Sequence, residues 1–158
     1  MHRARVAFAL AGIAGIGTLV KDLVMQVIAG GGRLCGCGRY GCLETEASRL
    51  AIAAEAAKAA YRGEAPHLMK IAGTNLAEIR SGQLAEAVRE GDKAIEQIVA
   101  RAAGYLGAAV GDLANLLLPD TVVLGGGLVE AMASSGICIS GPATTTKLRP
   151  ASTAMPAC

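Results

Sequence analysis

The sequence predicts an α/β fold with a mostly helical middle, and three observations carry that expectation. From Lys93 to about Leu118, apolar residues recur with helical period. Pro119-Asp120 stops that stretch, and the β-branched run Thr121-Val122-Val123-Leu124 follows as a compact strand. Gly125-Gly126-Gly127 then leads into a second helical start, Leu128 to Met132. A strand, a glycine turn and a helix N-terminus suit an anionic ligand, because glycines let the backbone approach and helix N–H groups lack partners there. Such a triplet also serves as a plain tight turn.

At 158 residues the chain is one ordinary domain, long enough to bury a sizeable core. The apolar fraction is 53% and the mean hydropathy +0.44, much of it supplied by alanine and glycine. One Phe, three Tyr and no Trp argue against a stacking platform for single-stranded nucleic acid. A net charge of +2 with no basic block gives no reason to expect a polyanion partner.

Residues 1–29 form an atypical apolar leader. Arg3 and Arg5 precede an uncharged run from Val6 to Val20, which Lys21-Asp22 ends. This imitates a signal peptide, but no small-residue cleavage site follows. The run is also short of the roughly 20 residues a membrane span needs. We therefore expect a buried strand interrupted by Gly12, Gly15 and Gly17, no membrane association, and a cytoplasmic protein.

Leu43 to Tyr61 is expected to be one helix, rich in strong helix formers. Leu43, Ala47, Leu50, Ala54 and Ala57 share its expected buried face. Gly63 and Pro66 end it. His67 stands near this turn and reads as a solvated side chain. Thr74 to Ser81 holds a short helical turn, and Leu84 to Glu90 a short helix stopped by Gly91. Asp92 is placed as the N-cap of the long helix. Its stripe is Ile95, Ile98, Val99, Ala102, Leu106, Ala109, Val110, Leu113 and Leu117, with Gly104, Gly107 and Gly111 as expected close-packing points. Ala133 to Cys158 has no sustained period and is expected to be a low-order tail.

The chemistry is concentrated between Gly30 and Glu44. Three of the five cysteines fall there, as Cys35-x-Cys37-x4-Cys42, with glycines in the gaps. Thiolates at that spacing suit a borderline-soft cation, above all zinc, and they fit a reduced compartment better than a disulfide framework. The bland alternative is a glycine-rich loop whose cysteines are small side chains. Three sulfurs leave a fourth ligand to be found. Cys138 and Cys158 lie outside the cluster, and no motif gives them a role.

Cys-x-Cys-Gly-x-x-Gly-Cys-x-Glu, from Cys35 to Glu44, resembles the zinc signature of the ROK family, which contains bacterial sugar kinases such as glucokinase and related transcriptional repressors. Asn115 to Leu128 is similar to that family's buried strand and triple-glycine turn. The resemblance covers roughly residues 30–132. It implies the C-terminal lobe of an actin/hexokinase-like, ribonuclease H-like ATPase fold, present incompletely. It also implies a structural Zn2+ on Cys35, Cys37 and Cys42, sugar hydroxyls on Glu44, and the adenine-ribose side of ATP on Gly125, Gly126 and Gly127. ATP and Mg2+ would be used by the intact family member, which is expected to be a homo-oligomer acting on a hexose such as glucose.

The chain departs from the family pattern in two places. The family's acid and Gly-His, some ten residues before the first cysteine, are replaced by Lys21-Asp22-Leu23-Val24-Met25-Gln26, without histidine. The upstream lobe, with its phosphate hairpin and its Asn-Asp pair holding the catalytic base, has no counterpart. No catalytic residue is therefore assigned, the fragment is expected to be inactive as a kinase, and both ends are expected to reflect truncation or a shifted frame. A sugar-responsive repressor, which would bind DNA through a helix-turn-helix, is the alternative reading.

Overall fold

The structure is a computed structural model that describes residues 6–9, 27–117, 121–133 and 147–150. Its strands are β1 (Val6–Ala9), β2 (Thr121–Gly125) and β3 (Lys147–Pro150). The helices are α1 (Leu43–Ala47), α2 (Arg49–Tyr61), α3 (Pro66–Ala72), α4 (Ser81–Arg89), α5 (Lys93–Leu117) and α6 (Gly127–Ala133).

β2 is the middle strand of a three-stranded parallel sheet. Val6 faces Val122 and Ala9 faces Gly125 on one edge, while Thr121 faces Lys147 and Leu124 faces Pro150 on the other. Parallel neighbours need a long crossover, and the helical block supplies it between β1 and β2. The sheet thus joins residues from the expected leader and the expected tail to the middle of the chain. Lys147–Pro150 corrects the low-order reading of the tail over those four residues. Its sequence lacks apolar alternation, and its pairing partner β2 lies more than twenty positions away. Gly12, Gly15, Gly17 and Asp22 lie outside the described residues, as do His2, Cys138 and Cys158.

α5 is the spine of the helical block, and α1 and α2 pack along it. Of the expected stripe, Ile95, Val99, Ala102, Leu106, Ala109 and Val110 are buried and Ile98 is half-buried, while the side chains of Leu113 and Leu117 lie outside the described residues. Gly107 and Gly111 are buried too, but Gly104 is exposed and a side chain there would meet open space. It is not a packing point.

The expected helix from Leu43 to Tyr61 is two helices. Ser48 adopts an extended conformation (φ −68°, ψ 156°), and its hydroxyl accepts the Ala51 N–H at 3.2 Å. A serine that caps a new helix in this way competes with continuation of the old one. The break resets the phase, so the buried face of α2 is Ile52, Ala53, Ala56, Ala59 and Ala60, and Leu50 is exposed.

α3 was not expected, because Pro66 read as a stop. Proline at the first helical position costs nothing, since its missing N–H would lack a partner anyway. Asp92 completes that start from a distance. Its buried carboxylate accepts the His67 N–H at 3.3 Å and the Leu68 N–H at 2.8 Å. The Asp92 side chain therefore caps α3, while its backbone carbonyl opens α5 by accepting from Ile95 and Glu96. Leu68, Ile79, Leu84 and Ile95 are fully buried around this junction.

Candidate metal centre

The cysteine loop is built by a short antiparallel fold-back. Leu34 pairs with Tyr40, and the Cys35 N–H donates to the Arg39 carbonyl at 2.8 Å. The Gly38 N–H closes the tip on the Cys35 carbonyl at 2.9 Å, at a φ of +84° that glycine tolerates. Val27 pairs with Cys42 at the base, and the Gly41 carbonyl accepts from both Ile28 and Ala29. Gly41 has φ +70°, and a Cβ there would lie 1.8 Å from the Ala29 carbonyl oxygen. Glycine is obligatory at that position.

This turn brings the three sulfurs together. The Sγ atoms of Cys35, Cys37 and Cys42 all lie within 4.8 Å of one another, and Cys37 Sγ is 3.5 Å from Cys42 Sγ. Cys35 and Cys42 are buried, Cys37 is exposed, and none of the three is in a disulfide. A tetrahedral metal with sulfur bonds of about 2.3 Å has sulfur–sulfur edges of roughly 3.8 Å, so the three thiols already occupy positions that one such ion can bridge. The donor set fits a soft or borderline cation. Among the described residues no His, Asp or Glu joins them.

The thiols differ in acidity. The backbone N–H of Arg39, followed by its guanidinium, brings Cys37 down to about 6. Burial, followed by the neighbouring Cys37 and Cys35 thiols, pushes Cys42 up to about 11. The Cys37 thiolate forms easily, and charge on Cys42 is opposed. A cation among them removes that opposition, which is the electrostatic reason for such a cluster to bind one.

The loop is fastened to the helices by Arg33. Its backbone N–H donates to Glu46 Oε1, and its guanidinium donates to Glu46 Oε2 and to Glu55 Oε1, each at 3.0 Å. Its carbonyl accepts the Gly41 N–H at 2.9 Å. Burial pushes the Glu46 carboxyl up, but the Arg33 N–H and guanidinium outweigh it and hold it below the ordinary value. Glu55 is held down by Lys58 first, against burial, with help from Arg33 and Arg101. Sequence reasoning missed this set. No spacing rule links Arg33 to acids 13 and 22 positions later.

Glu44 sits in the first turn of α1, two positions past Cys42, and is exposed. Its carboxylate has no side-chain hydrogen bond or ion pair among the described residues, in contrast to Glu46. An acid at that position also favours the helix dipole. Gly125, Gly126 and Gly127 are divided between three roles. Gly125 ends β2, Gly126 turns the chain at φ +115°, and Gly127 opens α6, whose Glu130 N–H donates to the Gly126 carbonyl at 3.0 Å. A Cβ on Gly127 would come 3.8 Å from Ser81 Oγ at the start of α4. His67 is half-buried with Nε2 3.3 Å from Glu86 Oε1, and it is not part of the cysteine group. No helix among the described residues is long and apolar enough to cross a membrane.

Residues 11–137 match the profile of the ROK family, well beyond the span read from the two motifs. The chain belongs to the ROK family. A glucokinase of Halalkalibacterium halodurans is 37% identical over 112 residues, which are 68% of this chain and 32% of that enzyme. Among solved structures, a ROK glucokinase from Streptomyces griseus in complex with glucose and AMPPNP superposes with a TM-score of 0.62. It is 25% identical, over 82% of this chain and 45% of that one. A ROK transcriptional regulator, a homologue of the Escherichia coli MLC protein, gives a TM-score of 0.58 at 31% identity over 72% of this chain and 27% of that one. The chain thus spans between about a quarter and a half of the length of these relatives. Their architecture makes the fold part of an actin/hexokinase-like lobe.

Proposed function

We propose that this chain is the sugar-recognition part of a ROK sugar kinase acting on a hexose such as glucose with ATP. The observation that carries the reading is the placement of Glu44. The carboxylate stands exposed at a helix start, two residues beyond a cysteine ligand, on a loop fixed by Gly41 and Arg33. A carboxylate on so fixed a backbone, with no partner of its own among the described residues, can accept two hydrogen bonds from adjacent hydroxyls. Cys35, Cys37 and Cys42 would hold a structural zinc, which supplies rigidity to the loop and no chemistry at the phosphate. Gly126 and the start of α6 would face the adenine-ribose side of the nucleotide, where absent side chains admit the ligand. Mg2+ and the γ-phosphate would be engaged elsewhere, and no residue of this chain is assigned as the base. Support comes from the glucokinase likenesses in sequence and in structure.

In a full-length protein carrying this lobe, Glu44→Gln keeps the shape and removes the charge. Charge-assisted hydrogen bonds contribute about 1.5–3 kcal/mol, so glucose affinity in a calorimetric titration is expected to fall roughly ten- to a hundredfold. ATP affinity is expected to stay the same. Equal glucose affinities in the two proteins would remove Glu44 from the site.

A sugar-responsive repressor is the second reading, favoured by the 31% identity to the ROK regulator. It keeps the same sugar site and replaces phosphoryl transfer with control of DNA binding. Sugar-dependent operator binding by the full-length protein, without ADP release, would select it.

A further inference from the structure

The three thiols are not equivalent in access, and that asymmetry has a chemical consequence independent of the sugar site. Cys37 is exposed at the tip of the loop, while Cys35 and Cys42 are buried beneath it. Cys37 Sγ and Cys42 Sγ are 3.5 Å apart. Between them stand Gly38 and Gly41, both at positive φ, in a fold-back that already points the two side chains at each other. We propose that Cys37 is an oxidation site, and that a Cys37–Cys42 disulfide forms in competition with metal binding.

The oxidant is a small-molecule disulfide such as oxidised glutathione. The Cys37 thiolate attacks one of its sulfurs, forming a mixed disulfide and releasing one glutathione thiolate. Cys42 then gives its proton to solvent and its thiolate attacks the Cys37 sulfur, expelling the second glutathione thiolate. Two protein thiols lose two electrons in total, and one glutathione disulfide becomes two thiols. Cys35 remains a thiol. The access pattern sets the order of events, because the exposed sulfur meets the oxidant and the buried one resolves the adduct. A metal on the cluster ties up both sulfurs. A disulfide removes two of its three cysteine ligands, so each state excludes the other.

The test uses the chain stripped of metal with a chelator and then treated with oxidised glutathione. Trypsin cuts after Arg33, Arg39 and Arg49, placing Cys37 and Cys42 on different peptides. Mass spectrometry is expected to find residues 34–39 linked to residues 40–49. Cys35→Ser is expected to keep that link, and Cys37→Ser to reduce it roughly tenfold or more. Zinc loaded beforehand is expected to slow the link roughly tenfold or more and to be released as it forms. Three results would each overturn the proposal. They are loss of the link in Cys35→Ser, equal rates with and without zinc, and a stable glutathione adduct that never resolves. Should Cys37→Ser fail to fold, the Cys35→Ser result and the zinc comparison decide on their own.

Discussion

Gly38 and Gly41 share a positive φ and face opposite surroundings. Nothing lies within 4 Å of a side chain at Gly38, whereas one at Gly41 would overlap the Ala29 carbonyl. Gly38→Ala is therefore expected to cost only the backbone penalty, about 1 kcal/mol. Gly41→Ala should cost more than about 2 kcal/mol, because strain and overlap add. Urea unfolding of both variants checks the difference, and equal losses would contradict the loop geometry. At the same scale, the carboxylates of Glu46 and Glu55 are held below the ordinary value of 4.5 by their cationic partners. A depressed carboxyl adds stability above its unfolded value and loses it as protons bind the folded state. The contribution of these two carboxylates should thus be level above about pH 4.5 and be lost below it. Glu46→Gln should flatten part of that acid slope in thermal scans, and an unchanged slope would discount the Arg33 pair.

At the scale of elements, Gly104 lies in the interior of α5 with exposed, open surroundings. Gly104→Ala is expected to stabilise the chain by about 0.5–1 kcal/mol, and a loss on denaturant titration would mean that the helix surface there is covered. The same helix shows what could be read from residues alone. Its stripe was legible because 25 residues repeat one period without interruption. The cysteine cluster was legible because its three thiols sit within eight residues of one fold-back. The phase of α2 was not, since Ser48 is a helix former by neighbourhood and a cap by hydrogen bond, and only the Ala51 contact decides between them. Pro66 was ambiguous for the same reason. Whether it ends one helix or begins another depends on Asp92, 26 positions on, which supplies the missing cap.

At the scale of the molecule, distant contacts govern what the sequence concealed. β2 is flanked by strands from both ends of the chain, and Arg33 joins the cysteine loop to α1 and α2. If one zinc binds the folded chain only, free zinc at about 100 times its Kd stabilises by about 2.7 kcal/mol. For a domain of this size that is a rise in Tm of roughly 5–11 °C, lost on adding a chelator. A Tm indifferent to zinc and chelator would argue that the thiols hold no metal. Cys37→Ser should abolish most of the zinc-dependent rise.

The carboxylate of Asp92 also ties the opening of one helix to the opening of another. A seven-residue helix such as α3 has no lasting existence by itself in water. Its first amides are held by a residue that reaches them only when the chain from 73 to 92 has closed. α3 is consequently coupled to the start of α5, and the two are expected to be ordered together. In native-state hydrogen exchange, the amides of His67 and Leu68 should open together with those of Ile95 and Glu96 as one cooperative unit. Asp92→Ala should release the first pair early and leave the second pair slow.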